Sequence, residues 1–593
     1  MCNLPAHESY KMHFNKSILF ILFLSLFALS RADEVRNFTI VEMSDLHSFI
    51  AGKLHKDNQG TLGQVIQFYE TIKMRNPNTY FISSGDNHQG TALSDAETPM
   101  PGVTNVELLF DYLGQDFISG VGNHDIQGKH PEWLYTQSHK PTGNYFGDRY
   151  IATGLKIKNV PTNTETDYLT AKRWTFRSIN GIKVMFFSIL DKDWATYPTW
   201  LMNEEPIATL DAEFQAALNA EKPDLLIDLI HAGAYTDYAK TKQLEWIQQF
   251  NKHLRDISGA AIPILNLHGH DHQVYNDTCH QDGSDPLPNC YLYDVRANFQ
   301  QIGVINVSLS RPNESTPYTM TTSRDLITNT VPQLAKYLGV EKLGCNKTCT
   351  TVNDKIVDLA TRVGLLDVVA FTDQEYAIPR GDTKWDSDNS TYGLFFKQLS
   401  PKVYGNQPFY VCPSGMMKGG LPKGEVIRNN LFSYAAYDNK MVHVTGVTPK
   451  VLWGLIHLTG TPDSEDPSTW NPEPTNTKDT FYVWPYLNTS KADDVYDLWV
   501  SDYDITHILN SCARFGVDCK SKVYEQYSNR DLIHDAIMST FPIPEVDSSD
   551  VENKTKMPVW GWVLIALAVA IAAGIIVGSF MIRKKNASMK TQV

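Results

Sequence analysis

Five short motifs of Asp, Asn and His stand in order along the first half of this chain. They are Asp45-Leu46-His47, Gly85-Asp86-Asn87, Gly122-Asn123-His124-Asp125, His231 and Gly269-His270-Asp271-His272. Together they supply carboxylate, amide and imidazole donors for two divalent cations, and such a mixed N/O set accepts Zn, Mn, Fe or Co. Two cations roughly 3.5–4 Å apart can activate a water and clamp a phosphoryl group from both sides. That chemistry needs one carboxylate shared by both ions, with neutral imidazoles and further oxygens around them. A lone DxH or GHxH would say little. Five ligand motifs in sequence say much more.

Four of the five follow an apolar, strand-like run: TIVEM before Asp45, YFISS before Gly85, LLIDLI before His231 and IPILNL before His268. Asp, Asn and His are poor strand residues. Just past strand ends they sit on loops that converge at one edge of a sheet, where open α/β sheets carry their sites. Strand-like runs also occur at 183–190 and 302–309, where Asn306 and Ser308 fall on one face. Helical patterns at 60–76, 211–221 and 240–257 alternate with the strands. The alternation predicts a layered α/β domain over 33–325. A helical linker over 326–369 and a second domain over 370–541, rich in Trp, Tyr and Pro, follow it.

The chain has 593 residues, too many for one ordinary core. Its formal net charge of −14 argues against nucleic acid as a main partner. Both ends carry membrane signals. An apolar run over 17–30, behind Lys11 and Lys16, with small Ser30 and Ala32, reads as a signal peptide over 1–32. The charge-free run 559–582, opened by Trp560 and Trp562 and closed by Arg583-Lys584-Lys585, predicts a transmembrane helix. A polar stalk over 542–558 and a cytosolic tail over 583–593 flank it, giving a single-pass type I protein held to the membrane by its C-terminal helix. The cysteines fit an oxidising compartment: local pairs 279–290, 345–349 and 512–519 leave Cys412 over. Sequons at Asn37, Asn276, Asn306, Asn313, Asn346, Asn389, Asn488 and Asn553 fit a glycosylated ectodomain, extracellular or in a lysosome- or vacuole-like lumen.

This order of motifs resembles the calcineurin-like metallophosphoesterase superfamily, and more closely the 5′-nucleotidase family. The stretch GVTNVELLFDYLGQDFISGVGNHD (102–125) is similar to that family's approach to its GNHE or GNHD motif. KGEVIRNNLFSYAAYDNKMVHVTG (423–446) parallels a pattern of its C-terminal substrate domain. The resemblance implies a metallophosphoesterase β-sandwich flanked by helices, plus a smaller α+β C-terminal domain. It implies that Asp45, His47, Asp86 and His272 hold the first metal. Asp86 bridges, and Asn123, His231 and His270 complete the second. His124 would not ligate; it would act on the leaving-group oxygen, with Asp125 orienting it. His88 and His268 read as neighbours of ligands, Asn87 as a turn former, and His55, His130 and His139 as loop residues.

The second domain departs from the family. Its Asn-x-Gly-x-x-Arg nucleotide loop should lie before Gly424, where this chain has Cys412-Pro-Ser-Gly-Met-Met-Lys418. Lys418 is left to supply positive charge, and Lys does not replace Arg in a planar bidentate contact. Tyr437 stands where the family has the first aromatic of a base-stacking clamp, and Phe515 is the candidate for the second. The expected activity is hydrolysis of a small-molecule phosphomonoester such as a nucleoside 5′-monophosphate, using two divalent metal ions. The altered loop keeps open a broad phosphatase, a nucleotide-sugar pyrophosphatase or a cyclic-nucleotide phosphodiesterase with the same site. A non-catalytic surface binding protein is the alternative of another class. The family's domain rotation, if present here, would be sought near 326–365.

Overall fold

The computed structural model describes most of residues 34–544, leaving out 1–33, 545–593 and internal segments such as 53–58, 96–104, 192–199, 235–242 and 458–480. The N-terminal half is built on thirteen strands: β1 (Glu34–Met43), β2 (Thr79–Ser83), β3 (Phe117–Ser119), β4 (Leu155–Ile157), β5 (Trp174–Ile179), β6 (Ile182–Leu190), β7 (Leu201–Asn203), β8 (Leu225–His231), β9 (Ile264–Gly269), β10 (Tyr275–Asp282), β11 (Asp285–Asp294), β12 (Gln301–Arg311) and β13 (Thr319–Thr328). One sheet has the order β13-β12-β1-β2-β3, the other β10-β11-β9-β8-β6-β5. Within the first, β1, β2 and β3 run parallel. Within the second, β6, β8, β9 and β11 run parallel. The carboxyl ends of each parallel set therefore share one edge of its sheet.

Strand alternation explains why the two sheets form a sandwich. Phe38 and Ile40 of β1 join Val184, Phe186, Ile227, Leu229, Leu265 and Leu267 of the other sheet in one buried cluster. The intervening residues face outward to helices. Val41 and Met43 pack with Leu62, Val65, Phe68 and Ile72 of α1 (Leu62–Arg75). Met185, Phe187, Leu226 and Ile264 pack under α2 (Ala212–Glu221) and α3 (Glu245–Ser258), which contribute Phe214, Phe250 and Leu254. Strands apolar on both faces are what a helix-covered parallel sheet requires. The helical patterns at 60–76, 211–221 and 240–257 correspond to these three helices, the last with 240–242 outside the described residues.

α4 (Lys347–Arg362) lies in the segment expected to connect the domains. It is itself part of the first hydrophobic layer, placing Val352, Ile356 and Leu359 beside the α1 side chains. Its N-cap Asn346 donates to Glu70 Oε2 of α1 at 3.1 Å. The C-terminal half has two cores, one around Tyr392, Phe395 and Tyr434, the other around Val442, Leu452 and Leu498. The expected disulfides form: Cys279–Cys290 joins β10 to β11, Cys345–Cys349 staples the start of α4, and Cys512–Cys519 follows a helix (Asp502–Arg514), while Cys412 is free and buried.

The expected fold class needs one correction. Among the described residues no helix is long and apolar enough to cross a membrane. The run 559–582, like the leader 1–32 and the tail 583–593, lies outside the described residues. What the structure supports is the helix-flanked α/β sandwich followed by a smaller α+β domain, with no transmembrane helix among its described elements.

Asp228 is an anomaly of the second sheet. It is fully buried, neither of its carboxylate oxygens has a hydrogen-bond partner, and burial pushes its carboxyl well above the ordinary value. Directly across the parallel register lies Asn266, whose Oδ1 is also without a donor. The folded chain therefore holds a proton on Asp228 that the unfolded chain releases above a pH of about 4. Where the native state binds the extra proton, stability falls as pH rises. Asp228→Asn is expected to gain stability over wild type at pH 8 and little at pH 4.5, read as the difference in thermal midpoint. An equal shift at both pH values would mean that Asp228 is ionised in the fold.

Candidate metal centre

The motif residues meet at the carboxyl ends of β1, β2, β3, β8 and β9. Asp45 and His47 follow β1, Asp86 follows β2, Asn123–Asp125 follow β3, His231 ends β8, and His270 and His272 follow β9. Their loops are bent hard. Of twelve non-glycine residues with positive φ, seven are Asp45, His47, Ser48, Asp86, Gln89, His270 and His272. Left-handed backbone at such residues costs of order 1–3 kcal/mol each and persists only where the surroundings over-determine it.

Backbone groups aim the side chains. His47 Nδ1 donates to the Gln89 carbonyl at 2.7 Å and His231 Nδ1 to the Ser84 carbonyl at 3.0 Å. In both rings Nε2 is turned inward. His47 Nε2 lies 3.1 Å from His272 Nε2, 3.9 Å from Asp45 Oδ1 and 3.8 Å from Asp86 Oδ2. His231 Nε2 lies 2.9 Å from Asp86 Oδ2, yet the pair is not aligned as a hydrogen bond. His270 Nδ1 is 2.9 Å from Asn123 Oδ1. The donor atoms fall into groups that could each hold a metal ion: Asp45, His47 and His272 in one, Asp86, His231 and His270 in another, and His47, Asp86 and His124 between them. Buried carboxylates and imidazoles converging on one small volume are what a pair of cations would satisfy, so the residues fit the metals that the sequence pattern implies.

The two carboxylates are held from behind. Asp45 Oδ2 accepts from Ser44 Oγ at 2.6 Å, and both Asp45 oxygens accept from the His270 N–H at 3.0 Å. Asp86 Oδ1 accepts from the His124 N–H at 2.7 Å. Burial opposes their charge, but neighbouring imidazoles, chiefly His272 and His231 for Asp45 and His231 for Asp86, hold both carboxyls below the usual range. Burial pushes His47 and His270 down to about 4 and His124 down to about 3. His231 goes the other way: burial disfavours its charge, but Asp86 and Asp45 outweigh that and raise it to about 9.

Asp125 is fully buried and does backbone work. Its Oδ1 accepts from the N–H groups of Asn87 and His88, each at 3.0 Å, and its Oδ2 from Gly122 N–H at 2.9 Å. It thereby ties the loop after β2 to the loop after β3. The side chain that meets His124 Nδ1 is Gln89, through Oε1. Nothing in the spacing of the motifs singles Gln89 out. Asn87 braces its turn through Ser83 Oγ and Ser119 Oγ, both at 2.9 Å. His88 is buried edge-on to Trp133 with ring centroids 5.5 Å apart, and His268 is buried with Nδ1 3.3 Å from the Ala232 carbonyl. Tyr437 and Lys418 lie outside the described residues. Phe515 is placed away from these loops, packed on the second domain's own core with Trp453 at 6.3 Å and the Arg514 guanidinium 4.9 Å from its ring.

Known proteins agree with this geometry. Residues 38–274 match the calcineurin-like phosphoesterase family, a span that carries every one of these ligand motifs. Those residues carry a calcineurin-like phosphoesterase domain. Over most of its length the chain also shares the fold of solved 5′-nucleotidases. That of Candida albicans superposes with a TM-score of 0.65 at 17% identity, covering 86% of this chain and 100% of the other. The 5′-nucleotidase precursor of Thermus thermophilus gives 0.56 at 13% identity, covering 85% and 97%. Among curated sequences, a secreted protein of Arthroderma benhamiae is 26% identical over 254 residues, 41% of this chain and 36% of the relative. An uncharacterized Schizosaccharomyces pombe protein is 22% identical over 245 residues, 40% and 38%. The match thus spans little more than a third of the length of these curated relatives.

Gly122 supplies a direct test of the cluster. A Cβ there would lie 2.1 Å from Asp86 Oδ1 and 2.3 Å from the Asp86 backbone nitrogen. Gly122→Ala is expected to displace Asp86, costing about 1–3 kcal/mol of stability by overpacking and lowering the metal content of the purified protein. Denaturant unfolding and elemental analysis check both. Normal stability with full metal content would show that Asp86 does not depend on this contact.

Proposed function

We propose that this phosphoesterase is a binuclear-metal-dependent phosphomonoester hydrolase acting on nucleoside 5′-monophosphates or closely related esters. The observation that carries the reading is the convergence of two donor groups on Asp86, whose Oδ2 lies 2.9 Å from His231 Nε2 and 3.8 Å from His47 Nε2. In this reading Asp45, His47, Asp86 and His272 hold one ion, and Asp86, Asn123, His231 and His270 the other. Ions so held supply Lewis-acid charge to a phosphoryl oxygen and lower the pKa of an attacking water. His124, which stands beside Asp86, is assigned in this reading to the departing ester oxygen and not to either metal. Asp125 holds the backbone from which His124 projects. Gln89 and Ser84 keep His47 and His231 in the tautomer with Nε2 inward, as groups behind metal-ligating imidazoles do.

The nucleotide part of the proposal draws on the shared fold of the 5′-nucleotidases from Candida albicans and Thermus thermophilus. A second reading keeps the centre and widens the substrate to nucleotide sugars, cyclic nucleotides or simple phosphomonoesters. The packing of the half-buried Phe515 ring against Trp453 favours it, because a ring already engaged there has less face left for a base. The three disulfides fit work in an extracellular or lumenal compartment, where exposed sequon residues such as Asn37, Asn276 and Asn306 could carry glycans.

Phosphate release by the purified protein is the test, with AMP, a nucleotide sugar and a cyclic nucleotide as substrates. Chelation should abolish release and added divalent metal should restore it. Asp86→Asn and His124→Ala should each lower kcat by at least ~100-fold, the scale of losing a positioned catalytic group, with folding intact. Metal-restored turnover in which AMP is the poorest substrate would move the assignment to the second reading. A chain that binds metal and turns over none of the three would favour a non-catalytic surface protein.

A further inference from the structure

Gln89 touches two imidazoles of the centre in two different ways. Its backbone carbonyl accepts from His47 Nδ1 at 2.7 Å. Its side-chain Oε1 meets His124 Nδ1. The residue itself holds φ at +54°, a conformation that Gly or Asn would adopt more easily. The following Gly90 presses so closely on His47 that a Cβ there would come within 2.9 Å of the His47 Cβ. The loop is thus held in a strained shape that points one amide oxygen at each ring. Backbone strain of this kind, with a polar side chain aimed at a functional group, marks a residue placed for what it touches.

We infer that Gln89 is the positioning residue for His124: its carboxamide oxygen fixes the ring orientation and the Nδ1–H tautomer, leaving Nε2 as the nitrogen that faces the departing ester oxygen. Asp125, the carboxylate next in sequence to His124, is spent on three backbone N–H groups. An acceptor 35 residues upstream takes up the ring nitrogen. The support is a neutral amide. It orients the imidazole without adding a third negative charge beside Asp45 and Asp86. The inference rests on the proposed reading only for what His124 acts upon. The contact itself belongs to the fold.

The split between backbone and side chain makes the inference separable. Gln89→Ala removes the contact to His124 and keeps the carbonyl that serves His47. Gln89→Glu keeps an oxygen in the same place. The expected result is unchanged metal content in Gln89→Ala, a fall in kcat of about 10–100-fold on AMP, whose ribose oxygen is a poor leaving group, and a fall under ~3-fold on p-nitrophenyl phosphate, whose phenolate needs no help in leaving. Gln89→Glu should recover most of the AMP rate. In the His124→Ala background, adding Gln89→Ala should cost nothing further, since residues acting through one another are not additive. An equal loss on both substrates, or a full additional loss in the double variant, would overturn the inference. A wild-type protein inactive on both esters would sink the phosphomonoesterase reading instead. The inference would then be decided by the crystal structure of Gln89→Ala: a His124 ring turned from its wild-type orientation supports it, and an unmoved ring overturns it.

Discussion

The whole site hangs on one constraint: the Asp86 carboxylate must stay charged where almost no water reaches it. Its residue is 1% exposed, and it shares the pocket with Asp45, which is fully buried. Two buried carboxylates side by side would ordinarily take up protons. Here the imidazole of His231 at 2.9 Å, and the N–H of His124 at 2.7 Å, favour the ionised form. The same need explains Gly122, since only a residue without Cβ lets the loop after β3 come close enough to hand its N–H groups to Asp86 and Asp125. It also explains why the left-handed residues gather in these loops. Each bend turns a donor or an acceptor toward one small volume.

Such precision needs a stiff frame, and the frame is the sandwich. Because β1, β6, β8 and β9 are apolar on both faces, they are locked between a shared inner core and two helical layers. The buried Arg324 adds a polar tie between the sheets. Arg324 of β13 lies 3.4 Å from Glu42 of β1 and also reaches the carbonyls of Tyr275 and Asp294 at the edge of the second sheet. A buried pair of this sort gains little stability over apolar packing, but breaking it is costly, so it acts as a register pin. It stands three residues before Asp45, close behind the first donor group.

Much of this was legible in the sequence, for a physical reason. Strands that must be buried on both faces read as unbroken apolar runs, and polar ligand residues cannot sit inside them. TIVEM followed by Asp45, or LLIDLI followed by His231, therefore announces both the strand and the place where it stops. The disulfides were legible because each joins cysteines close in sequence. The contact of Gln89 with His124 was not, because it depends on the left-handed turn at Gln89 and on a chain reversal 35 residues later. Asp125 misled for the same reason. Adjacency to His124 in sequence says nothing of which backbone N–H groups its carboxylate will meet. Asp228 reads as part of an apolar strand, and its burial without partners shows only once Asn266 is set beside it. The transmembrane run of the sequence has no counterpart among the described helices.

Chemistry and selectivity are consequently built from different materials in this protein. The groups that would handle a phosphoryl centre project from strand ends of a double-faced core, where a shift of a single loop would unseat several hydrogen bonds at once. Such a centre tolerates little change, so its motif residues stay recognisable. The second domain has its own cores, and Phe515 packs there against Trp453 and Arg514. Aromatic residues there can exchange a surface role for a core role at small cost, since burial rewards the ring in either place. A loop change such as Cys412-Pro-Ser-Gly-Met-Met-Lys418 alters the reach and planarity of a cation without touching the metal ligands. The donor atoms around Asp86 are therefore set by the strand ends of the sandwich and not by the side chains of the other domain.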